Sequence, residues 1–244
     1  MTDLHNHILP GMDDGPKDPE AARALLQLQL DQGVDQIALT SHYHCEGEDP
    51  DQFLQRREQA FRLLEAVCPE GLTLKRGCEV YYSPALTELD LQKLCLEGTN
   101  VLLLELPVLQ KPAFLSEVLS AITCRGILPL IAHAERYQYV RRDPGILADW
   151  MDLGARIQVN ARSVLDDGMT RRLIKWGLCQ VVASDCHSAA HRPPNLEQAH
   201  RLIARSFGRE KARELEENAR MLFEGTQIPC GQVRIPRKVM GLWL

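Results

Sequence analysis

Residues 3–16, DLHNHILPGMDDGP, set two histidines two positions apart and follow them with two adjacent aspartates. On an extended strand, side chains alternate faces, so His5 and His7 point the same way with Asp3 beside them. The PGMDDGP run is made of turn residues, which can swing a carboxylate back over the strand's end. Two imidazoles and a carboxylate on one small surface read most simply as part of a metal site. Similar groups recur further on: His42 and His44 in TSHYH, Glu79 in GCEVYY, Glu105 in LLLELP. IAHAERY then carries His133, Glu135 and Arg136, and ASDCH carries Asp185 and His187. Glu105 lies among leucines that predict burial, and an unpaired buried carboxylate is costly without a cation.

These groups need a scaffold, and the chain alternates short apolar runs with longer amphipathic ones. The apolar runs predict strands over 3–8, 36–42, 72–81, 100–106, 127–135, 155–160 and 180–187. Amphipathic runs predict helices over 19–32, 51–67, 84–96, 114–125, 144–153 and 169–176, with two more over 195–208 and 209–225. The first helix opens after Lys17-Asp18 and stops at Gly33, a sound cap pair. Successive β-then-α units imply a parallel sheet closed into a barrel, and barrel chemistry gathers at the C-terminal ends of strands. Five of the eight histidines (5, 7, 42, 133 and 187) fall at predicted strand ends.

With 244 residues and no repeat, low-complexity tract or linker, the chain suits one α/β domain. A balance of 28 basic and 33 acidic residues, net charge −5, argues against nucleic acid or an anionic membrane as main partner. No apolar run reaches membrane-spanning length and no signal peptide is visible, so a cytoplasmic protein without an integral membrane segment is expected. The eight cysteines are scattered without CxxC pairs, as expected of unpaired thiols in a reducing compartment.

HNH at 5–7, TSH at 40–42, GCE at 77–79, AHAERY at 132–137 and ASDCH at 183–187 resemble the PHP superfamily, the polymerase and histidinol phosphatase metal hydrolases. LHNHILPGMDDGP, CEVYY, AHAERY and SDCHSAAHRPP are most similar to the bacterial PHP-class protein-tyrosine phosphatases encoded with capsule and exopolysaccharide machinery. The resemblance runs from Asp3 to about residue 223. It implies a single-domain, distorted (β/α)7 TIM-like barrel over 1–223, a tail over 224–244, and three clustered metals, usually manganese. Carried onto matching positions, it implies His5, His7, Glu79 and Asp185 at a first metal. Glu79 would share a second metal with Glu105 and His133, and Asp14, His42 and His187 would hold a third. Arg136 and Arg192 become phosphate clamps, which suits arginine's planar fork. Five imidazoles and four carboxylates without a thiolate suit manganese, with iron or zinc as alternatives. Adjacent metals acidify a shared water, making a nucleophile for phosphorus near neutral pH.

The implied substrate is phosphotyrosine on a protein, a cognate membrane-associated bacterial tyrosine kinase in polysaccharide production. Asp14 and Glu105 stand where many other PHP members carry histidines, which favours this substrate over histidinol phosphate or another small phosphomonoester. The intact ligand set argues against a non-catalytic metal-binding regulator.

Other features are read against chemistry. Asp13 is a turn cap or a partner to a ligand, and the acidic HCEGEDPDQF loop is a solvated stretch or a tuner of peptide choice. His44, His191 and His200 are surface or loop groups, with His191 nearest a pocket. CHSAAHR (186–192) matches the C-x5-R pattern of cysteine-based phosphatases, but it lacks glycine and Arg192 precedes two prolines. Between Val164 and Cys179 the chain departs from the family, with room for about three helical turns. The tail IPRKVMGLWL is amphipathic and partly basic.

Overall fold

The computed structural model describes residues 1–229, 233, 234, 236, 238, 239, 242 and 243. Nine short strands carry the predicted apolar runs: β1 (Thr2–Asp3), β2 (Gln36–Leu39), β3 (His42–Tyr43), β4 (Thr73–Arg76), β5 (Glu79–Tyr81), β6 (Val101–Glu105), β7 (Leu128–Ile131), β8 (Arg156–Asn160) and β9 (Val181–Ala183). All pair in parallel, in the orders β1-β2-β4 and β3-β5-β6-β7-β8-β9. The chain is thus an α/β domain of parallel sheets.

Two predicted strands, 36–42 and 72–81, are each broken in the middle. The Glu79 N–H is shared by the Thr40 and Ser41 carbonyls, at 3.1 and 3.0 Å, so two residues oppose one. Such a bulge bends the strand and re-aims the side chains beyond it. Here it sets His42 opposite Glu79 in the register of β3 and β5. The first and last runs also keep less ladder than predicted. Beyond β1 and β9 the two segments run alongside one another through single bonds, Asp185 N–H to the His5 carbonyl (2.7 Å) and His7 N–H to the Cys186 carbonyl (2.8 Å).

Helices α1 (Pro19–Asp31), α2 (Pro50–Glu65), α3 (Leu115–Cys124), α4 (Gln138–Arg142), α5 (Ile146–Asp152), α6 (Ala161–Asp166), α7 (Gly168–Lys175), α8 (Leu196–Phe207) and α9 (Arg209–Phe223) fill the connections. Asp18 caps α1 by accepting from Ala21 N–H at 2.8 Å, and Gly33 (φ 79°) ends it in the left-handed region that glycine tolerates. The helix expected over 84–96 is two 3-10 turns, Pro84–Glu88 and Leu91–Leu94, because extended Leu89 re-phases the chain so that Leu86, Leu91 and Leu94 are all buried. α4 and α6 have no counterpart among the predicted helices. The helix expected over 169–176 is α7, and Asp167 both ends the additional α6 and accepts from Met169 N–H at 3.0 Å to start α7.

Alternation along the strands divides the core. On β6, Val101 and Leu103 join Leu4, Ala38, Leu130 and Val181 in one cluster. Leu102 and Leu104 pack with Ile37, Ile131 and Ile157 in the larger cluster beneath the helices. Fully burying each such side chain contributes about 1.5–3 kcal/mol. Beyond α9, Arg234 N–H donates to the Trp176 carbonyl (2.8 Å), and β10 (Lys238–Val239) pairs antiparallel with β11 (Leu242–Trp243). Much of the amphipathic tail reading, over 235–244, lies outside the described residues, as does Cys230. The other seven cysteines are free thiols. Among the described residues no helix is long and apolar enough to cross a membrane.

Candidate metal centre

Glu79 sits at the floor of the site, where the bulge delivers it, and it is fully enclosed. Its Oε2 lies 3.2 Å from His5 Nε2, 3.2 Å from His7 Nε2 and 3.1 Å from His42 Nδ1. Its Oε1 lies 2.9 Å from His133 Nε2, which also reaches Glu105 Oε1 at 3.4 Å. Around this carboxylate stand three sets of donors, each with all its atoms within 4.8 Å of one another: His5, His7 and Asp185; His42, Glu79 and Glu105; and His7, Asp14, His42 and His187. Eight of the nine donors singled out in the sequence fall in these sets, and the ninth, His133, joins them through Glu79 and Glu105. The spacings differ in detail from the grouping implied by resemblance, since His7 stands in two sets and His42 beside Glu105.

The site grades from a dry floor to an open mouth. His5, His7 and Glu79 are buried, whereas the Asp14 side chain is 61% exposed. Glu105 is only half-buried, because β6 ends there and its carboxylate reaches the opening. Two donors sit on strained backbone, His133 at φ 31° and Asp185 at φ 53°. Left-handed conformations in non-glycine residues cost about 1–3 kcal/mol each and cluster at functional sites.

Asp3, expected beside His5 and His7, turns away. It accepts from Ser184 N–H (2.8 Å), Ser184 Oγ (2.5 Å) and Gln29 Nε2 (2.6 Å), and so ties the Ser184–Asp185 turn to the first strand. Burial pushes its carboxyl upward against those donors. Asp13 fulfils both roles expected of it. It accepts from Gly15 N–H (3.1 Å) as a turn cap, and from His7 Nδ1 (2.8 Å) and His42 N–H (3.0 Å).

That turn needs Gly15, since a Cβ there would lie 1.9 Å from the His7 carbonyl oxygen. Gly15→Ala should destabilise the fold by about 1–3 kcal/mol, the usual cost of overpacking, and displace Asp13 and Asp14. Thermal melts with and without added Mn²⁺ check this: stabilisation by metal should shrink along with the melting temperature.

Charge is concentrated here. Burial opposes a charged His7, but Asp13 and Glu79 outweigh it and hold its pKa up at about 10. His133 is likewise lifted to about 10 against burial by Glu105 and Glu79. Burial works against ionised Glu79 and Asp185, yet the facing imidazoles hold both below the ordinary range, with Arg192 assisting at Asp185. His187 is pushed down to about 4 by burial and by His7. Glu79 Oε2, His42 Nδ1 and His187 Nε2 are buried and complete no hydrogen bond within the protein. Inward-facing lone pairs of this kind, oxygen and imidazole nitrogen without thiolate, fit a hard or borderline divalent ion.

Arg192 and Arg136 both lean on Asp185 Oδ2, at 2.5 and 3.6 Å, and remain partly exposed. With Asn160, Ser163 and His191 they line a cavity of about 390 Å³ beside the donor cluster. Cys186 is enclosed, its thiol pushed well up by burial, so CHSAAHR is no thiolate cradle. His44 is exposed and stacks on Tyr81, but His200 lies on the buried face of α8 rather than at the surface. In the acidic loop, Glu48 is committed to Arg56 and Glu46 accepts from Ser83. Glu135, though at a strand end, points away and accepts from Asn160 N–H at 3.1 Å.

Two site residues escape a reading of the sequence, Gln158 and Asn160 on β8. Gln158 Oε1 accepts from His133 N–H at 2.7 Å, and Asn160 Nδ2 donates to Asp185 Oδ2 at 2.6 Å. Their one sequence signal is two amides at alternate positions of an otherwise apolar strand, ARIQVN.

Parallel strands whose ends gather imidazoles and carboxylates, with two arginines at the rim, define the metal-dependent hydrolase class. The family model for capsular polysaccharide synthesis, CpsB/CapC, matches residues 1–224, and the chain belongs to that family. Its relatives include the tyrosine-protein phosphatase CpsB of Streptococcus pneumoniae, 32% identical over 234 residues that cover 88% of this chain and 94% of the relative. The tyrosine-protein phosphatase YwqE of Bacillus subtilis strain 168 is 30% identical over 239 residues, covering 93% of each chain. A chain from the crystal structures of YwqE and CpsB, described as metal-dependent tyrosine phosphatases, superposes with a TM-score of 0.85 at 26% identity, covering 96% of this chain and 99% of that one. A dihydropyrimidinase from Brevibacillus agri shares the fold alone, with a TM-score of 0.54 at 12% identity, covering 98% of this chain and 76% of that one.

Proposed function

We propose that this chain is a metal-dependent phosphatase that hydrolyses phosphotyrosine on proteins. The observation that carries the reading is the meeting of eight oxygen and imidazole donors, with His133 joined to them through Glu79, beside a cavity rimmed by Arg136 and Arg192. The scaffold is a distorted (β/α)7 barrel over 1–223 followed by a tail over 224–244. Support for closure comes from the parallel bridge between Asn6 and Cys186, which joins the first segment to the last.

His5, His7, Glu79 and Asp185 would hold one ion, Glu79, Glu105 and His133 a second, and Asp14, His42 and His187 a third. Manganese suits this donor set, with iron and zinc as alternatives. Bound ions supply Lewis acidity and lower the pKa of a coordinated water. Asp13 fixes His7 so that Nε2 faces inward, and Glu79 gathers four imidazoles around one carboxylate. Arg136 and Arg192 leave Asp185 to grip phosphate oxygens and steady the charge that grows in the transition state. The half-open mouth at Asp14 and Glu105 admits a tyrosine side chain held on a protein. The substrate is a cognate, membrane-associated bacterial tyrosine kinase that regulates capsular or exopolysaccharide biosynthesis, met in the cytoplasm, where unpaired thiols persist.

The test offers the Mn²⁺-loaded protein a phosphotyrosine peptide, a phosphoserine peptide and histidinol phosphate. Preferential release of phosphate from the phosphotyrosine peptide is expected. Preference for histidinol phosphate would make it a small-molecule phosphatase instead.

A further inference from the structure

β8 is the one predicted strand that contributes no metal donor, yet Gln158 and Asn160 are buried and face the site. Their hydrogen bonds can be assigned without ambiguity. The His133 backbone N–H can only donate, so the group 2.7 Å from it is the Gln158 carbonyl oxygen. That same oxygen lies 3.1 Å from His5 Nδ1. An oxygen cannot supply the hydrogen, so His5 carries a proton on Nδ1. That leaves Nε2 as the nitrogen available to an ion, facing His7, Glu79 and Asp185 at 3.2, 3.2 and 3.5 Å.

The polarity continues along the strand. With Oε1 so committed, Gln158 Nε2 donates to Asn160 Oδ1 at 2.9 Å. Asn160 must then present its amide hydrogens to Asp185, where Nδ2 meets Oδ2 at 2.6 Å. Arg192 holds the same oxygen at 2.5 Å, which leaves Asp185 Oδ1 turned toward the two histidines. A single backbone N–H thus fixes the orientation of two amides, one imidazole and one carboxylate.

We propose that Gln158 and Asn160 are positioning residues that lock the His5 tautomer and the rotation of Asp185 for metal binding. The proposal rests on the reading of His5 and Asp185 as ligands to one ion. Outer partners of this kind are worth about 10–100-fold in metal affinity.

The first arm uses the full-length protein loaded with diamagnetic Zn²⁺ and long-range 1H–15N spectra of the histidine rings. His5 is expected to show its proton on Nδ1, and zinc bound with the proton on Nε2 overturns the proposal. This arm needs no variant and therefore no variant's folding. The second arm titrates Zn²⁺ into Gln158→Leu, which removes the acceptor at similar volume. A site about 10–100-fold weaker with altered His5 nitrogen shifts is expected. Unchanged affinity and shifts, with only a lower melting temperature, mean that Gln158 merely supports the fold. Zinc held with His5 protonated at Nδ1 in a protein inert toward phosphotyrosine would overturn the proposed function and leave this network intact.

Discussion

Replacing Glu79 with glutamine should lower kcat/KM on a phosphotyrosine peptide by at least ~10³-fold, beyond the 10²–10³-fold scale for losing one charge-stabilising donor. Among the described residues, Glu79 is the carboxylate that approaches four imidazoles, those of His5, His7, His42 and His133. The substitution keeps the volume and one oxygen but removes the negative charge that the cluster is arranged around. His7 and His133 owe part of their elevated pKa, about 10 in each case, to this group. Without its charge the buried imidazoles that face it lose the carboxylate they share, which is costly. Metal content measured on the same preparation should fall along with activity. A Glu79→Gln protein that retains both full metal content and wild-type kcat/KM would remove Glu79 from the centre of the site.

Arg192→Ala should cost about 10²–10³-fold in activity, the scale for a group that stabilises transition-state charge. Arg192→Lys should recover little of it, because an ammonium cannot supply a planar, two-pronged contact to phosphate oxygens. Among the described residues, the Arg192 guanidinium reaches two carboxylate oxygens, Asp185 Oδ2 at 2.5 Å and Asp14 Oδ2 at 3.8 Å. It can exchange these for substrate because 39% of its side chain stays exposed. If Arg192 grips phosphate equally before and during reaction, KM rises while kcat holds. A fall mainly in kcat assigns it to the transition state. Steady-state kinetics on both variants decides, and wild-type values in Arg192→Ala would exclude it as a clamp.

How far the sequence leads is clearest residue by residue. Eight donors at the ends of apolar runs are legible because strand periodicity and barrel geometry place such ends together, whereas the choice of Asp14 in the turn after the first strand rests on the family resemblance. What periodicity cannot carry is a register shift. The bulge at Thr40–Ser41 depends on which carbonyls meet Glu79 N–H across the sheet, and that is a tertiary fact. Asp3 shares the pattern of His5 and His7, yet Ser184 and Gln29, distant in sequence, draw it elsewhere. Gln158 and Asn160 are uncharged amides, and their role exists only through His133, His5 and Asp185. His200 reads as a surface group, and only the packing of α8 against its neighbours buries it. The C-x5-R pattern misleads on spacing alone, since Cys186 faces the core.

The most direct measurement is phosphotyrosine-peptide hydrolysis by the wild-type protein after chelation and after Mn²⁺ is restored, with Cys186→Ser assayed alongside. Activity should vanish with the chelator, return with Mn²⁺ and be unaffected by the cysteine substitution. Activity that survives chelation and is lost in a folded Cys186→Ser protein would contradict the metal-centred account and return the chemistry to the thiol.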